Sequence, residues 1–390
     1  MGHMRVRDPM GGSNQSGLRD QNARLVLSYI RRHGAMASAE IARRSGLSAQ
    51  TVSNIVRSLE TKGLLRREAA IKGRVGKPSV PMALRSEGTF GLGLSVGRRS
   101  LELMLVDFKG QRIDSESTVY PYPSKDLVYE FAQDQLTSLL ARHSIEKSYV
   151  AGLGIARPNR IWEWGEFVGA PEGAMDDWRA TDLEAEIAAL TGLSTIVEND
   201  ATAACVSEHL LGRGHDLADF AYIFLGTFVG GGLVLDGKLI SGRNHNAAAF
   251  GPLPVPDGKG GTVQLLDVSS LHVLERALEA AGIPFNEERG KSANWQGFEP
   301  ALSDWIDSTG RHLAIACAAI TSVVEVESIL VAGAFPDAVR SRITDRIGTE
   351  FSRLDITGIE KPTIEDAVIG RQARSIGAAL LPIHAKFFVN

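Results

Sequence analysis

Two short stretches of this chain carry side chains placed for chemistry. In VENDATAAC, Asn199 and Asp200 stand directly before an alanine-rich run. A carboxylate there can take a proton from a hydroxyl as a general base, or hold the hydroxyl by a hydrogen bond with no reaction. The same pair suits a helix start, because Asn and Asp accept from unpaired backbone N–H groups, and Gly212 stands at the far end of the run. The second stretch, GLSVGRRSLELMLVDFKG over 93–110, has the outline of a β-hairpin that cradles phosphate. Backbone N–H groups in a glycine-bounded turn hold phosphate only where nothing crowds them. Here Ser95 occupies the place of an acid that would hold Mg²⁺, and Arg98 and Arg99 fill the turn. The hairpin poses a choice between phosphoryl transfer and a binding site that keeps the shape without the reaction.

The elements that must position these residues follow from hydrophobic period and turn residues. Strands are expected over 90–94, 100–107, 149–155, 195–197, 221–225, 232–235 and 328–331, and helices over 125–142, 182–190, 201–211, 270–281 and 305–324. Their alternation argues an α/β fold. A weak internal echo links SVGRRSLELMLVDFKGQRI with GTFVGGGLVLDGKLISG, each a glycine-rich turn, a strand, a tight turn and another strand. Two such units suggest two similar lobes facing a cleft, where small ligands commonly bind.

Composition bounds the class. With 390 residues, 44% hydrophobic and 23% charged, the chain fits a soluble protein of two or three domains. No apolar run approaches the roughly 20 residues that span a bilayer, and no secretory leader is visible, so a cytoplasmic location is expected and membrane partners are not. Only Cys205 and Cys317 occur, which excludes a disulfide framework or a cysteine-rich zinc site. Residues 1–16 read as a disordered tag or leader.

Charge is unevenly spread. Through residue 85 there are 16 Lys and Arg against 5 Asp and Glu, a balance of +11, while the remainder carries −15. A basic head on an acidic body points to nucleic acid. Within the head, apolar residues at Leu25, Val26, Tyr29 and Ile30 predict one helix ending at Gly34, a second runs from Ser38 to Gly46, and a third from an N-cap at Ser48 to Gly63. Leu47 precedes that cap as a hydrophobic staple toward Val52. This is helix-turn-helix order. At roughly 100° per residue, Val52, Ile55, Val56 and Leu59 share one side of the third helix, and Gln50, Asn54 and Arg57 point away. Gln and Asn can pair with adenine and Arg with guanine; Ser48, Thr51 and Ser53 suit phosphate. Two strands then flank a glycine-rich tip, a basic wing in which Arg74 and Lys77 are placed for a minor groove or phosphates.

Taken together, the GLRDQNARLVLSYIRRHG helix, the KGRVGKPSVP wing, VENDATAAC, GTFVGGG, SGRNHNAAAFG and the late IGAA stretch resemble the ROK family of bacterial repressors, open reading frames and sugar kinases. The resemblance runs from Leu18 to the C-terminus. It implies a two-lobed, actin-like (ribonuclease-H-like) ATPase fold behind the winged helix-turn-helix, and a transcription regulator answering to a sugar or sugar phosphate. It also implies sugar contact by Asn199 and Asp200, with Asp267 of QLLDVSS replacing a family Glu and Asn246 of the RNHN loop available, although that loop can equally be an exposed polar one.

The departures lie on the nucleotide side. Ser95 removes a carboxylate, Arg98 and Arg99 crowd the first turn, Phe228 takes a glycine position in GTFVGGG, and Ala332-Gly333-Ala334 replaces paired glycines. Phosphoryl transfer depends on positioning and Mg²⁺, so the expectation is no catalysis, no cofactor and no catalytic residue. The family's zinc is not expected either, because its His becomes Pro252 and its cysteines are missing; the sugar-site Glu becomes Ala249. Three other readings remain: an active sugar kinase that also regulates transcription, arginines that bind phosphate as cations, and a body that is only a dimerisation scaffold with no ligand. The domains expected are a winged helix-turn-helix over 17–85 and a sugar-kinase-like body over 86–390. The partners expected are double-stranded operator DNA, a sugar effector and a second copy of the chain.

Overall fold

Three helices and a small antiparallel sheet build the head. They are α1 (Gln15–His33), β1 (Met36–Ala37), α2 (Ser38–Ser45), α3 (Ala49–Thr61), β2 (Leu65–Arg67) and β3 (Pro81–Leu84). The computed structural model describes residues 15–70, 80–285, 292 and 294–389. Gly46 ends α2 in the left-handed conformation, at φ 72°, with its N–H on the Ala42 carbonyl. The Ser48 Oγ then accepts the Thr51 N–H at 3.1 Å and so caps α3. Val26, Ile30, Ile41, Val52, Val56 and Leu59 are buried, so the three helices share one core. The sheet order is β1-β3-β2, with Leu65 opposite Leu84 in the wing and Met36 opposite Met82.

Contact density divides the chain into two compact units, and the head is larger than its sequence boundary. It extends to Thr89 and takes in 107–109 and 383–390 as well. The Phe108 ring packs against Phe387 and Phe388, at 5.2 and 5.6 Å between centroids. Arg31 lies 4.6 Å over the Phe388 ring, and the Val389 N–H donates to Ser28 Oγ at 3.0 Å. The linear reading ended the head at 85, since nothing local announces that a C-terminal segment returns to it.

The second unit holds two sheets. The first lobe contains β4 (Phe90–Val96), β5 (Ser100–Asp107), β6 (Arg112–Val119), α4 (Lys125–Arg142), β7 (Val150–Arg157), α5 (Gly165–Val168), α6 (Leu183–Thr191) and β8 (Thr195–Asn199). The second contains α7 (Asp200–Leu211), β9 (Phe220–Leu225), β10 (Val229–Leu235), β11 (Lys238–Leu239), β12 (Pro254–Pro256), β13 (Thr262–Gln264), α8 (Leu265–Ser269), α9 (Leu271–Ala280) and α10 (Ala301–Val323). It continues through β14 (Ser328–Gly333), α11 (Asp337–Phe351), β15 (Thr363–Asp366) and α12 (Ala373–Phe387).

The strand orders are β6-β5-β4-β7-β8 and β11-β10-β9-β14-β15. In each, an antiparallel ladder on one side meets parallel pairs on the other. The sequence echo is thus a structural duplication, with β4-β5-β6 answered by β9-β10-β11. Each sheet has its own buried core, one around Leu94, Leu103 and Ile155 and one around Ile223, Leu313 and Ile329. Two glycines let the α12 backbone approach its neighbours: a Cβ on Gly154 of β7 would meet the Ala378 carbonyl, and one on Gly377 the Ala203 carbonyl of α7. The duplicated cores hold the hairpin turn 97–99, the start of α7 and the turn 226–228 around one cavity.

Candidate functional site

The head presents a polar helix face. Gln50, Asn54 and Arg57 are exposed on α3, Ser48 is exposed at its cap, and Thr51 and Ser53 are half-buried. Gln50 Nε2 donates to Asn54 Oδ1 at 3.1 Å, which leaves the Gln50 carbonyl and the Asn54 amide N–H groups outward. One acceptor beside one donor is what adenine's N6 and N7 require. The neighbouring basic residues are engaged: Arg44 with Glu40 at 3.0 Å, Arg66 with Glu68 at 2.9 Å, Arg67 with Glu60 at 2.6 Å. Arg57 forms no ion pair with a described residue. Arg74 and Lys77 lie outside the described residues.

In the second unit a cavity of 310 Å³ opens between the sheets. Asn199 and Asp200 line it at the junction of β8 and α7. Asn199 Oδ1 accepts the Ala201 and Thr202 N–H groups at 3.0 and 3.3 Å, and Asp200 Oδ1 accepts the Ala201 N–H at 3.0 Å. The pair therefore caps the helix and faces the cavity at once. Asp200 Oδ2 lies 3.7 Å from an Arg374 terminal nitrogen, an ion pair from the start of α12. Glu198 is buried beside them, accepting the Asn199 N–H and facing His245 Nδ1 at 3.5 Å.

Asn246 also lines the cavity, and its side chain accepts from Asn159 Nδ2 at 2.9 Å, linking the two lobes. Asp267 does not: it is exposed on α8, and Gln264 and Leu266 of the same stretch face the cavity instead. One short helix of five residues sets which side chains of QLLDVSS turn inward. Arg243 and Asn244 are exposed in the RNHN loop. His245 and Ala248 of that loop hold positive φ, 52° and 55°, unusual for residues with a Cβ.

The two echoing turns meet across the cavity. Arg98 of the first stacks 4.2 Å over the Phe228 ring of the second and 5.0 Å from Trp164. Phe228 in turn packs on Trp164 at 4.2 Å, Phe167 at 4.5 Å and His272 at 5.1 Å. Burial pulls the Arg98 guanidinium down to about 10 and moves the His272 imidazole below its ordinary value. Arg98 still carries its charge at neutral pH. Arg99 differs: it is exposed, and its charge acts on Glu275. Sequence reasoning missed Asn159, Trp164, Gln264 and Arg374, which reach the cavity from distant segments.

Among the described residues no group of His, Cys, Asp and Glu is arranged to hold a metal ion, and no helix is long and apolar enough to cross a membrane.

The ROK family profile matches residues 91–385, most of the chain. The chain belongs to the ROK family. A MarR family profile matches residues 16–74, over the head. Among curated relatives, the DNA-binding transcriptional dual regulator NagC of Escherichia coli is 19% identical over 350 residues, covering 84% of this chain and 85% of its own. A ROK family transcriptional regulator described as a homologue of the E. coli MLC protein superposes with a TM-score of 0.71 at 22% identity, covering 95% of this chain and 97% of its own. A ROK glucokinase from Streptomyces griseus, solved with glucose and AMPPNP, gives 0.56 at 24% identity over 75% of this chain and 98% of its own. The body thus has the two-lobed fold that ROK regulators and kinases share.

Proposed function

We propose that this ROK protein is a transcription repressor of carbohydrate-utilisation genes, with operator affinity set by a sugar in the 310 Å³ cavity and with no phosphoryl transfer. The observation that carries it is one chain holding both parts. An α3 face of exposed Gln50, Asn54 and Arg57 backs onto buried Val52, Val56 and Leu59, and Asn199, Asp200 and Asn246 line one cavity. The relatives' names, a DNA-binding transcriptional dual regulator and a ROK family transcriptional regulator, agree. Ser48, Thr51 and Ser53 serve as phosphate contacts in this reading, and Arg74 and Lys77 supply electrostatic affinity from the wing.

The kinase reading is the second one, since a glucokinase shares the fold. What argues against it is the stack of Arg98 on Phe228, which brings a guanidinium and a ring together between the two glycine-rich turns. Nucleotide phosphates need that space and the backbone N–H groups behind it. A winged helix reads a short half-site, so the working form is a dimer on a palindromic operator. Operator footprinting during titration with a sugar panel tests the proposal. It fails if no fragment upstream of carbohydrate genes is protected, or if a hexose is phosphorylated with MgATP.

A further inference from the structure

We propose that the effector is an anionic sugar derivative, a polyol carrying a carboxylate or phosphate whose oxyanion is held by Arg98 with Arg374 beside it. This rests on the reading of the cavity as the effector site and narrows the class of ligand. The charges lining the cavity are Arg98, Arg160, Arg374, Glu163 and Asp200. Arg160 pairs with Glu163, and Arg374 lies 3.7 Å from Asp200. Arg98 forms no ion pair with a described carboxylate: its guanidinium lies over the faces of Phe228 and Trp164, and Asp200, already paired with Arg374, is the carboxylate whose charge acts on it, so two arginines share one carboxylate. Rings stabilise a guanidinium through its face but leave the five N–H donors at its edge unused.

The donors are the second observation. Arg98 Nε and Arg374 Nε are both shut off from solvent with no hydrogen-bond partner. A buried donor without a partner is costly and rare in a finished structure. Arg157, Arg340 and Arg346 also have an Nε without a partner; what sets Arg98 and Arg374 apart is that both line the cavity, where a terminal nitrogen of Arg374 lies 3.7 Å from Asp200, a place suited to an acceptor. Arg98 has no other evident use. A structural plug between the turns needs bulk and not charge, and Phe228 already packs on Trp164, Phe167 and His272 without it. The volume of 310 Å³ sits at the lower end of about 300–1,000 Å³ for small-molecule sites. That suits a monosaccharide with one charged group.

The test is a binding panel on the full-length protein by calorimetry and thermal shift: glucose and N-acetylglucosamine, their 6-phosphates, and gluconate and glucuronate. The expected result is that at least one anionic member binds about 10- to 100-fold more tightly than its neutral parent, the worth of a charge-assisted hydrogen-bonded contact. Arg98→Gln removes that preference and Arg98→Lys restores part of it. The phosphate and carboxylate arms decide which oxyanion is meant. In the wild-type protein the anionic preference shrinks as salt rises, which reads the same charge without a variant. Neutral sugars binding as tightly as the anionic ones, or a preference unchanged in Arg98→Gln, overturns the inference and leaves the effector site standing. If no neutral or anionic sugar binds at all, the reading of the cavity as a sugar site falls, and the inference with it.

Discussion

Replacing Asn199 separates its two duties, because the structure shows one of them bond by bond. Its Oδ1 serves two backbone donors at the start of α7, Ala201 at 3.0 Å and Thr202 at 3.3 Å. Asp200 Oδ1 also reaches the Ala201 N–H, at 3.0 Å. Asn199→Ala therefore leaves only the Thr202 N–H without a side-chain acceptor, and the loss belongs at the lower end of the usual range for a cap, about 0.5–1 kcal/mol. Asn199→Ser keeps an acceptor of good capping geometry and returns most of that stability. Neither variant keeps the amide group that faces the cavity. If Asn199 holds a sugar hydroxyl, both lose a net hydrogen bond of about 0.5–1.5 kcal/mol, which is about two- to twelve-fold in affinity. Urea unfolding gives the stability, and titration with the sugar that alters operator affinity gives the binding. A serine variant that binds the sugar as well as the wild type would falsify the sugar contact and leave Asn199 a helix cap alone.

The other expectations are shorter. Arg57→Ala relaxes base preference at one position per half-site by about 1–3 kcal/mol, whereas Lys77→Ala weakens all sequences alike and flattens the salt slope; equal loss of specificity in both, measured by gel shift on a base-substitution series, refutes that division. Wild-type protein turns over no hexose with MgATP in a coupled assay, and turnover abolished by Asp200→Asn refutes the reading of the Arg98 and Phe228 stack. Asp114 is bonded by His143 Nε2 at 2.9 Å and by Arg142 at 2.8 Å, which hold its carboxyl down at about 2. A folded value below the ordinary one, about 3.9, gives stabilisation that is full above the ordinary value and lost as pH falls toward the folded one. Asp114→Asn should flatten the thermal midpoint of the second unit between about pH 4 and 2, and an unchanged slope there means the cluster adds nothing.

What the sequence revealed was local, and what it hid was long-range. The helix-turn-helix order, the Ser48 cap and the α3 faces depend on neighbours within a turn or two, and they were legible. Lys125–Arg142 and Ser100–Asp107 match their expected ends, since caps and turn residues mark them. β1 has two residues, too few to show a period. α11 was unforeseen because Arg340 and Thr344 sit among its buried positions, interrupting the apolar stripe, and each answers to Asp366. In α12 Pro382 stands where a helix would be read as ending, yet the helix runs on to Phe387. Within the cavity, Asn199 and Asp200 were legible because a helix start is a local signal. Arg374 and Asn159 come to the same cavity from far along the chain, and nothing in their own neighbourhoods says so. Asp267 shows the reverse case: its type suited the site, but the turn of α8 points Gln264 and Leu266 inward.

The duplication also bears on how the proposed effector site would control operator binding without a reaction. The cavity draws Asn199 and Asp200 from the end of the first sheet and the start of α7, and Asn246 and Gln264 from a loop and the end of β13 in the second lobe. The hydrogen bond from Asn159 to Asn246 is a direct link between those two sides. If the lobes have a more open arrangement, a ligand that touches both binds the closed one better, and the difference, no more, is what it can impose on the rest of the protein. On the proposed reading that difference resides in the sugar-side contacts and needs neither Mg²⁺ nor nucleotide. Coupling between sites is typically about 1–3 kcal/mol, comparable with one or two hydrogen bonds made only on closure. On the proposed reading, hydrogen bonds from a sugar to Asn199, Asp200 and Asn246 are of the size to supply it without any reaction. Arg98 bears on the same balance. Its turn belongs to the first sheet and the Phe228 ring to the second, so an oxyanion on Arg98 would add its interaction energy between the two lobes, where on the proposed reading it counts toward the response as well as toward affinity.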